Sequence, residues 1–346
     1  MTLHIFNPGH DEALAAGTPY YTYARAARRL ADDLWQLPRL WADAGDAVAP
    51  YHRLEQFRDW DSVERIEPWG WDEALVWRLR RAGAPERLLP TAAGLARIRA
   101  LSSRRTAVAL LEKMERPDGC ESRWCETERD VRRFLRSHYR TMLKAPWSCS
   151  GRGLTATGRT PTEAQWQRVR QTLARQGAIV AEPLLRRRQD FAMEFTALPD
   201  GTLRYDGLSL FHTDAAGRYV GNVVAADQLL DILAGGDALH AIRCQIETLL
   251  PPLLDGGYTG PVGVDMMRYR RRGQTHVHPC VEINLRRTMG HVARRLAPLL
   301  PTTAAPALFR LGPADAMPQG ATPLLSPSPA DSPSPTLTAW MEPMVV

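Results

Sequence analysis

Short apolar runs along this chain alternate with longer stretches whose apolar residues recur at helical spacing, as strands exchanging with amphipathic helices do. "LHIF" near the N-terminus predicts a short buried strand, which Asn7-Pro8-Gly9 breaks. "HDEALAAG" then turns helical, with Asp11 as the expected cap. "YARAARRLADDLWQLPRLWADAGD" is amphipathic and helical, interrupted near Pro38. "DAVAPY" predicts a second strand, and "DSVERIEPWGW" a third with the character of an edge. This alternation predicts a small parallel α/β domain over residues 1–102.

Past Pro90, "TAAGLARIRALSSRRTAVALLEKM" is helical with Thr91 as its N-cap. An α+β region follows: "CETERDVRRFLRSH" as helix, "RTMLKAPW" as strand, "PTEAQWQRVRQTLARQG" as helix and "AIVAEPLL" as strand. Residues 190–225 are rich in strand formers and broken by Asp-Gly and Ala-Gly pairs, as hairpins require. "LHAIRCQIETLLPPLLDGG" is helical and leads into two apolar strands flanking "RRGQT". Residues 103–300 thus read as one α+β domain, divided near Glu182. From residue 301 the composition shifts to Pro, Ser, Ala and Thr, so 301–346 is expected to be a tail. "PLLSPSPADSPSPT" is too polar to order itself and predicts a mobile linker, with "LTAWMEP" docking back as a last strand.

The strands around "RRGQT" carry the first candidate chemistry. Gly273-Gln274 suits a two-residue Gly-X turn; if Arg272 and Thr275 close it, Asp265 stands directly opposite Glu282. Facing carboxylates repel, and both sit in apolar runs where an unpaired charge is costly. A shared cation removes both difficulties. Asn284, two residues past Glu282 on the same face, adds a neutral oxygen, and such hard donors suit magnesium. The alternative, weighted equally, is that Asp265 and Glu282 pair with Arg286, Arg287 or Arg268.

"LKAPWSCSGRGL" carries the second. Lys144 ends an apolar strand, Gly151 and Gly153 leave backbone N–H groups free to approach an anion, and Ser148 and Ser150 add hydroxyl donors. The loop is neither a Walker motif nor a dinucleotide fingerprint. Taken alone it reads more readily as a surface turn.

Composition narrows the partners. The formal charge of +6 comes from arginine, with lysine almost absent, and the arginines are scattered over helical stretches such as "WRLRRAG". That favours small anionic ligands; no basic patch is interleaved with aromatics, so no specific nucleic acid is expected. Five cysteines form no CxxC pair, which points to a reducing compartment without disulfides or a zinc site. With no signal-like or membrane-spanning run, a cytoplasmic protein is expected.

Several further residues invite a role. His10 and Asp11 follow the first strand at the ligand-facing edge of an α/β sheet, though capping by Asp11 is the favoured reading. Trp69 and Trp71 read as packing anchors, Arg186–Arg188 as a solvated turn or a phosphate contact, and Glu194 as support for an arginine. His276 and His278 share a strand face without a third zinc ligand, His291 is expected to cap a helix, and Cys149 lacks a base partner.

The order of these parts resembles the ATP-grasp superfamily: a strand lysine, a Gly/Ser loop, a helix, "AEPLL", a β region, then an Asp strand and a Glu-x-Asn strand. The resemblance covers residues 103–295, and "FNPGHDEALA", "PWGW" and "EINLRRTMGH" are similar to segments of uncharacterised bacterial members. It implies two α+β subdomains clamping ATP, preceded by a small parallel pre-ATP-grasp domain. Lys144 then contacts the nucleotide phosphates, with Ser148, Ser150, Gly151 and Gly153 in the loop over the triphosphate. Glu182 falls where adenine and ribose are held, and Asp265, Glu282 and Asn284 match the magnesium ligands. Arg286 or Arg287 would grip a substrate carboxylate. The family's earlier lysine is missing; "LSSRRTAVALL" offers Arg104 or Arg105, with Arg105 carried forward as a nucleotide contact.

The activity so implied is an ATP- and magnesium-dependent ligase joining a small carboxylate to an amine through an acyl phosphate, and the family's habit implies a homodimer. The competing expectation is an ATP-binding regulatory or assembly protein without turnover, which the missing lysine favours.

Overall fold

The computed structural model describes residues 1–148, 153–214, 219–236, 238–300, 305–325 and 336–344. Strand β1 (Thr2–Ile5) lies between β2 (Ala47–Ala49) and β3 (Arg65–Pro68), both parallel to it. Helices α1 (His10–Ala16) and α2 (Arg25–Asp33) separate β1 from β2, and α3 (Glu73–Arg81) follows β3. Leu3, Ile5 and Ile66 meet Leu75 and Leu79 of α3 in a closed core. Two expectations change here. The long helix stops at Asp33, and Leu37–Leu40 around Pro38 make only a short 3-10 turn. Asp11 is not the cap of α1: Gly9 holds that position, and the Asp11 carboxylate is drawn elsewhere.

Helices α4 (Ala92–Leu101) and α5 (Arg104–Lys113) lead into the next sheet, capped by Thr91 and Ser103. That sheet has the order β4-β7-β5-β6: β4 (Arg123–Cys125), β5 (Arg140–Lys144), β6 (Leu154–Gly158) and β7 (Ile179–Pro183). Helices α6 (Glu128–Ser137) and α7 (Glu163–Gln176) cover it, each opened by a capping box. Val131 and Phe134 of α6 and Trp166 of α7 close over Leu143 and Ile179.

The largest sheet comprises β8 (Arg186–Ala197), β9 (Leu203–Thr213), β10 (Tyr219–Val224), β11 (Gly260–Arg271), β12 (Gln274–Asn284), β13 (Ala307–Pro313), β14 (Thr322–Pro323) and β15 (Leu337–Pro343). Its order is β12-β11-β8-β9-β10-β13-β15-β14, antiparallel throughout. One face carries Phe191, Met193, Phe195, Val262, Val264 and Met266 and packs on α5, α8 (Asp227–Ala234) and α9 (Ala238–Leu254). The other receives α10 (Met289–Leu296) and the N-terminal domain, joined through Phe6, Trp41 and Trp69. Trp69 meets Phe6 edge-on at 5.1 Å, as a packing anchor should.

The expected tail is more ordered than its composition suggested. "ALFRLGP" forms β13, and the docked strand "LTAWMEP" is β15, paired with β13 over its whole length. Most of the Pro/Ser-rich segment, residues 326–335, lies outside the described residues. Cys120, Cys125, Cys244 and Cys280 are free thiols, and among the described residues no helix is long and apolar enough to cross a membrane.

Candidate active site

The hairpin of β11 and β12 brings Asp265 opposite Glu282, by a different route from the expected one. Arg272 and Gly273 form the corner, both at positive φ (50° and 82°), and Arg271 pairs with Gln274. Continued straight, that register would set Asp265 against Cys280. A bulge intervenes: Met266 faces the three residues Pro279 to Val281, because Pro279 has no N–H for the ladder. The two extra residues return Asp265 to Glu282, with Asn284 opposite Gly263.

Asp265 keeps partial exposure but is ringed by protein. Burial, with Glu282 and Glu194 nearby, pushes its carboxyl up to about 8 against the pull of Arg286 and a hydrogen bond from Asn284. None of Arg286, Arg287 or Arg268 pairs with either acid. The arginine that does is Arg104, whose Nη2 lies 2.7 Å from Glu282 Oε1. Arg104 is 6% exposed and donates also to the Ala145 carbonyl (2.6 Å) and Ser148 Oγ (2.7 Å). Its neighbour Arg105 is exposed, with its guanidinium 5.7 Å from the ring centroid of Trp124. Of the two, Arg104 is the one drawn to the acidic pair.

Lys144 at the end of β5 is buried, its Nζ 2.5 Å from Glu182 Oε2 on β7. It also donates over 3.5 Å to the Val281 carbonyl, which the β12 bulge turns toward it. Ser122 donates to Glu182 Oε1 at 3.1 Å. Burial acts to raise the Glu182 carboxyl, but Lys144, His278 and these hydrogen bonds outweigh it and hold it below the usual range. His278, which sequence reasoning considered only for zinc, is 2% exposed beside this pair, and burial lowers it to about 4.

Ser148 and Gly153 flank the Gly/Ser loop; Ser150 and Gly151, like Cys149 and Arg152, lie outside the described residues. Gly153 has φ +72°, its carbonyl accepts from Ala145 N at 3.0 Å, and a Cβ there would meet that of Ser148 at 2.9 Å. Only glycine closes the loop base so tightly.

Arg286 reaches across to the N-terminal domain. Its Nε and Nη2 grip both Asp11 oxygens at 2.8–3.1 Å, and Nη2 also donates to Asn284 Oδ1 at 3.0 Å. Burial would raise the Asp11 carboxyl, yet Arg286 and His10 hold it below its ordinary value. Arg287 turns away: its guanidinium lies 4.7 Å over Trp41 and 3.6 Å from Glu67 Oε2. Among the described residues Glu194 supports no arginine; it accepts from Ser209 Oγ at 2.8 Å and stands 3.0 Å from His291 Nδ1. Thr288 is the N-cap of α10, and His291 completes its capping box from the third helical position, its ring accepting from Thr288 N.

Among the described residues no three His, Cys, Asp or Glu side chains converge as a self-sufficient metal site. A cation between Asp265 and Glu282 would therefore take Asn284 and ligand or water oxygens to complete its shell, which is magnesium's habit.

No family model and no curated protein matches this sequence. Solved structures do match. N5-carboxyaminoimidazole synthetase from Staphylococcus aureus aligns with a TM-score of 0.53 at 13% identity, over 98% of this chain and 92% of its own. The biotin carboxylase domain of Hydrogenobacter thermophilus 2-oxoglutarate carboxylase, solved as a dimer with MgADP, ADP and bicarbonate, aligns with a TM-score of 0.51 at 11% identity, over 98% of this chain and 85% of its own. A candidate ATP-grasp superfamily protein from Archaeoglobus fulgidus covers 100% of both chains at 13% identity, with a TM-score of 0.52. With the parallel N-terminal sheet, the four-stranded sheet and the long antiparallel sheet in this order, the chain has the ATP-grasp fold.

Proposed function

We propose that this protein is an ATP- and magnesium-dependent ligase that activates a small carboxylate as an acyl phosphate and transfers the acyl group to an amine. The observation that carries the reading is the facing of Asp265 and Glu282 beside Asn284, with Lys144 reaching the carbonyl of Val281 next to Glu282. Asp265 has no cationic partner within 4 Å among the described residues, and its raised carboxyl marks a charge that lacks one. The donor set fits magnesium, which bound there would neutralise phosphate charge during transfer.

Lys144 is one of two lysines in the chain, with Lys113, and is proposed to meet the phosphates together with Ser148, Ser150 and the amides of Gly151 and Gly153. Glu182 is proposed to serve adenine and ribose. Arg104 takes the place expected for Arg105: it needs only to leave Glu282 for an incoming phosphate as a cation arrives. Arg286, its fork filled by Asp11, is assigned to offsetting charge beside the metal pair, and Arg287 to holding the N-terminal domain.

The test is phosphate release from magnesium-ATP, measured against pools of amino acids and small carboxylic acids. Release that needs an acid–amine pair supports the ligase. Tight ATP binding with no release under any pool supports the second reading, a nucleotide-binding protein without turnover, which the Arg104–Glu282 ion pair favours.

A further inference from the structure

The turn after β1 sends another titratable side chain to the cleft. His10 is 1% exposed, and its ring lies under Gly70, where a Cβ would come within 2.7 Å of the ring carbons. His10 Nδ1 faces Asp72 Oδ2 at 3.5 Å. That carboxylate is fixed: Oδ1 accepts from Leu75 N at 2.8 Å and Oδ2 from Asn7 Nδ2 at 3.1 Å. Asn7 is held in turn by Gly70, donating to its carbonyl at 2.8 Å and accepting from its N–H at 3.3 Å. His10 lines the same cleft as Asp11, Ser148, Glu282 and Asn284, and its buried Nδ1 makes no hydrogen bond among the described residues, its approach to Asp72 being an ionic contact only.

A core histidine normally satisfies both ring nitrogens. Here Nδ1 stands 3.5 Å from a carboxylate held by two donors, without a hydrogen bond to it, in a ring that lines the cleft. A fixed carboxylate behind the ring favours the tautomer with its proton on Nδ1 and supports an imidazolium, as a general base needs. The Asp11–Arg286 fork ties the next residue of the same turn to the end of β12.

We propose that His10, oriented by Asp72, is the catalytic base that takes the proton of the acceptor amine. The proposal rests on the ligase reading above. The amine nitrogen attacks the acyl phosphate carbon and the C–N bond forms. The C–O bond to phosphorus's oxygen breaks, its electron pair leaving with inorganic phosphate, and the amine proton passes to Nε2. Asp72 stabilises the imidazolium until the proton is lost to solvent.

Hydroxylamine provides the test, because it is already unprotonated at neutral pH and needs no base to trap an acyl phosphate. Full-length wild type, His10→Gln and Asp72→Asn are incubated with magnesium-ATP and pooled amino acids and small carboxylic acids, with or without hydroxylamine. Amide and hydroxamate products are counted by mass spectrometry, and thermal melts are recorded in parallel. The ratio of amide to hydroxamate rate is expected to fall about 100-fold or more in His10→Gln, within the range for a lost general base. A smaller fall is expected in Asp72→Asn, which keeps the imidazole, and that variant carries the test if His10→Gln does not fold. An unchanged ratio, or equal loss of both products, makes His10 structural and overturns the proposal. Failure of the wild type to make either product overturns the ligase reading and this proposal together.

Discussion

Strands β8 and β11 present two faces that differ as much as any two regions of the molecule. On one, Phe191, Met193, Phe195, Val262, Val264 and Met266 are at most 1% exposed and belong to a single apolar core. On the other, one residue out of step, lie Glu194, Gly263 and Asp265, joined by Glu282 and Asn284 from β12. The backbone is shared, so the contrast comes from side chains alone. The apolar face stabilises the sheet; the polar face holds Asp265, which has no cationic partner within 4 Å among the described residues. Substitutions on the first should therefore move stability and spare chemistry, and substitutions on the second the reverse.

The sharpest test is Asp265→Asn. Loss of a metal ligand removes several kcal/mol of charge stabilisation, so magnesium-dependent ATP turnover should fall at least about 1000-fold. The melting temperature should hold or rise, since the neutral amide removes the cost of protonating a buried carboxyl that is ionised in the unfolded chain. Unchanged turnover would reject the site. Phe195→Ala is its counterpart on the apolar face and should cost about 3–5 kcal/mol in denaturant unfolding, through lost burial and the cavity left behind. If it removed turnover without loss of stability, the division between the faces would fail.

How much of this contrast was legible in the sequence depends on range. The Asp265–Glu282 pairing came out right although two local details did not: the turn sits one residue earlier, and the Pro279 bulge cancels the shift. Arg104 was within reach but passed over. It lies on the stripe Arg104, Ala107, Val108, Leu111, the buried face of α5, whereas Arg105 lies off it. β13 was missed because the proline and serine around it masked the apolar alternation of "ALFRL". Asp11 and Arg286 are 275 residues apart, and nothing local at either position announces the other. Asp11 was therefore given the nearest job, a helix cap, which a long-range ion pair overrode.

That ion pair ties the polar face to the N-terminal domain. Arg286→Ala would leave Asp11 half-buried without its partner, for a loss of about 2–4 kcal/mol, scaled down from a fully buried pair for its partial exposure. The double variant with Asp11→Ala should cost less than the sum of the two single losses. Strict additivity in the double-mutant cycle would mean that the contact carries no coupling.

The smallest effect expected is in the pH dependence of stability without metal, and its sign separates the faces again. Asp265 is raised to about 8 in the fold, so the native state binds a proton there that the unfolded chain gives up near pH 4. That term weakens the protein as pH rises toward 8. Burial lowers His278 to about 4 and also lowers His291 and His52, which acts oppositely, strengthening the protein as pH rises to about 6.5. The depressed carboxyls Asp11 and Glu182 act only at acid pH, where their stabilisation is lost. Between about pH 6.5 and 8 Asp265 stands alone, and stability should fall by at most about 2 kcal/mol across that window. Chemical denaturation at several pH values measures it. Asp265→Asn should flatten the slope, and Phe195→Ala should lower the whole curve while keeping its shape. A slope that survives in Asp265→Asn would assign the titration to another group and leave the polar face without its distinguishing charge.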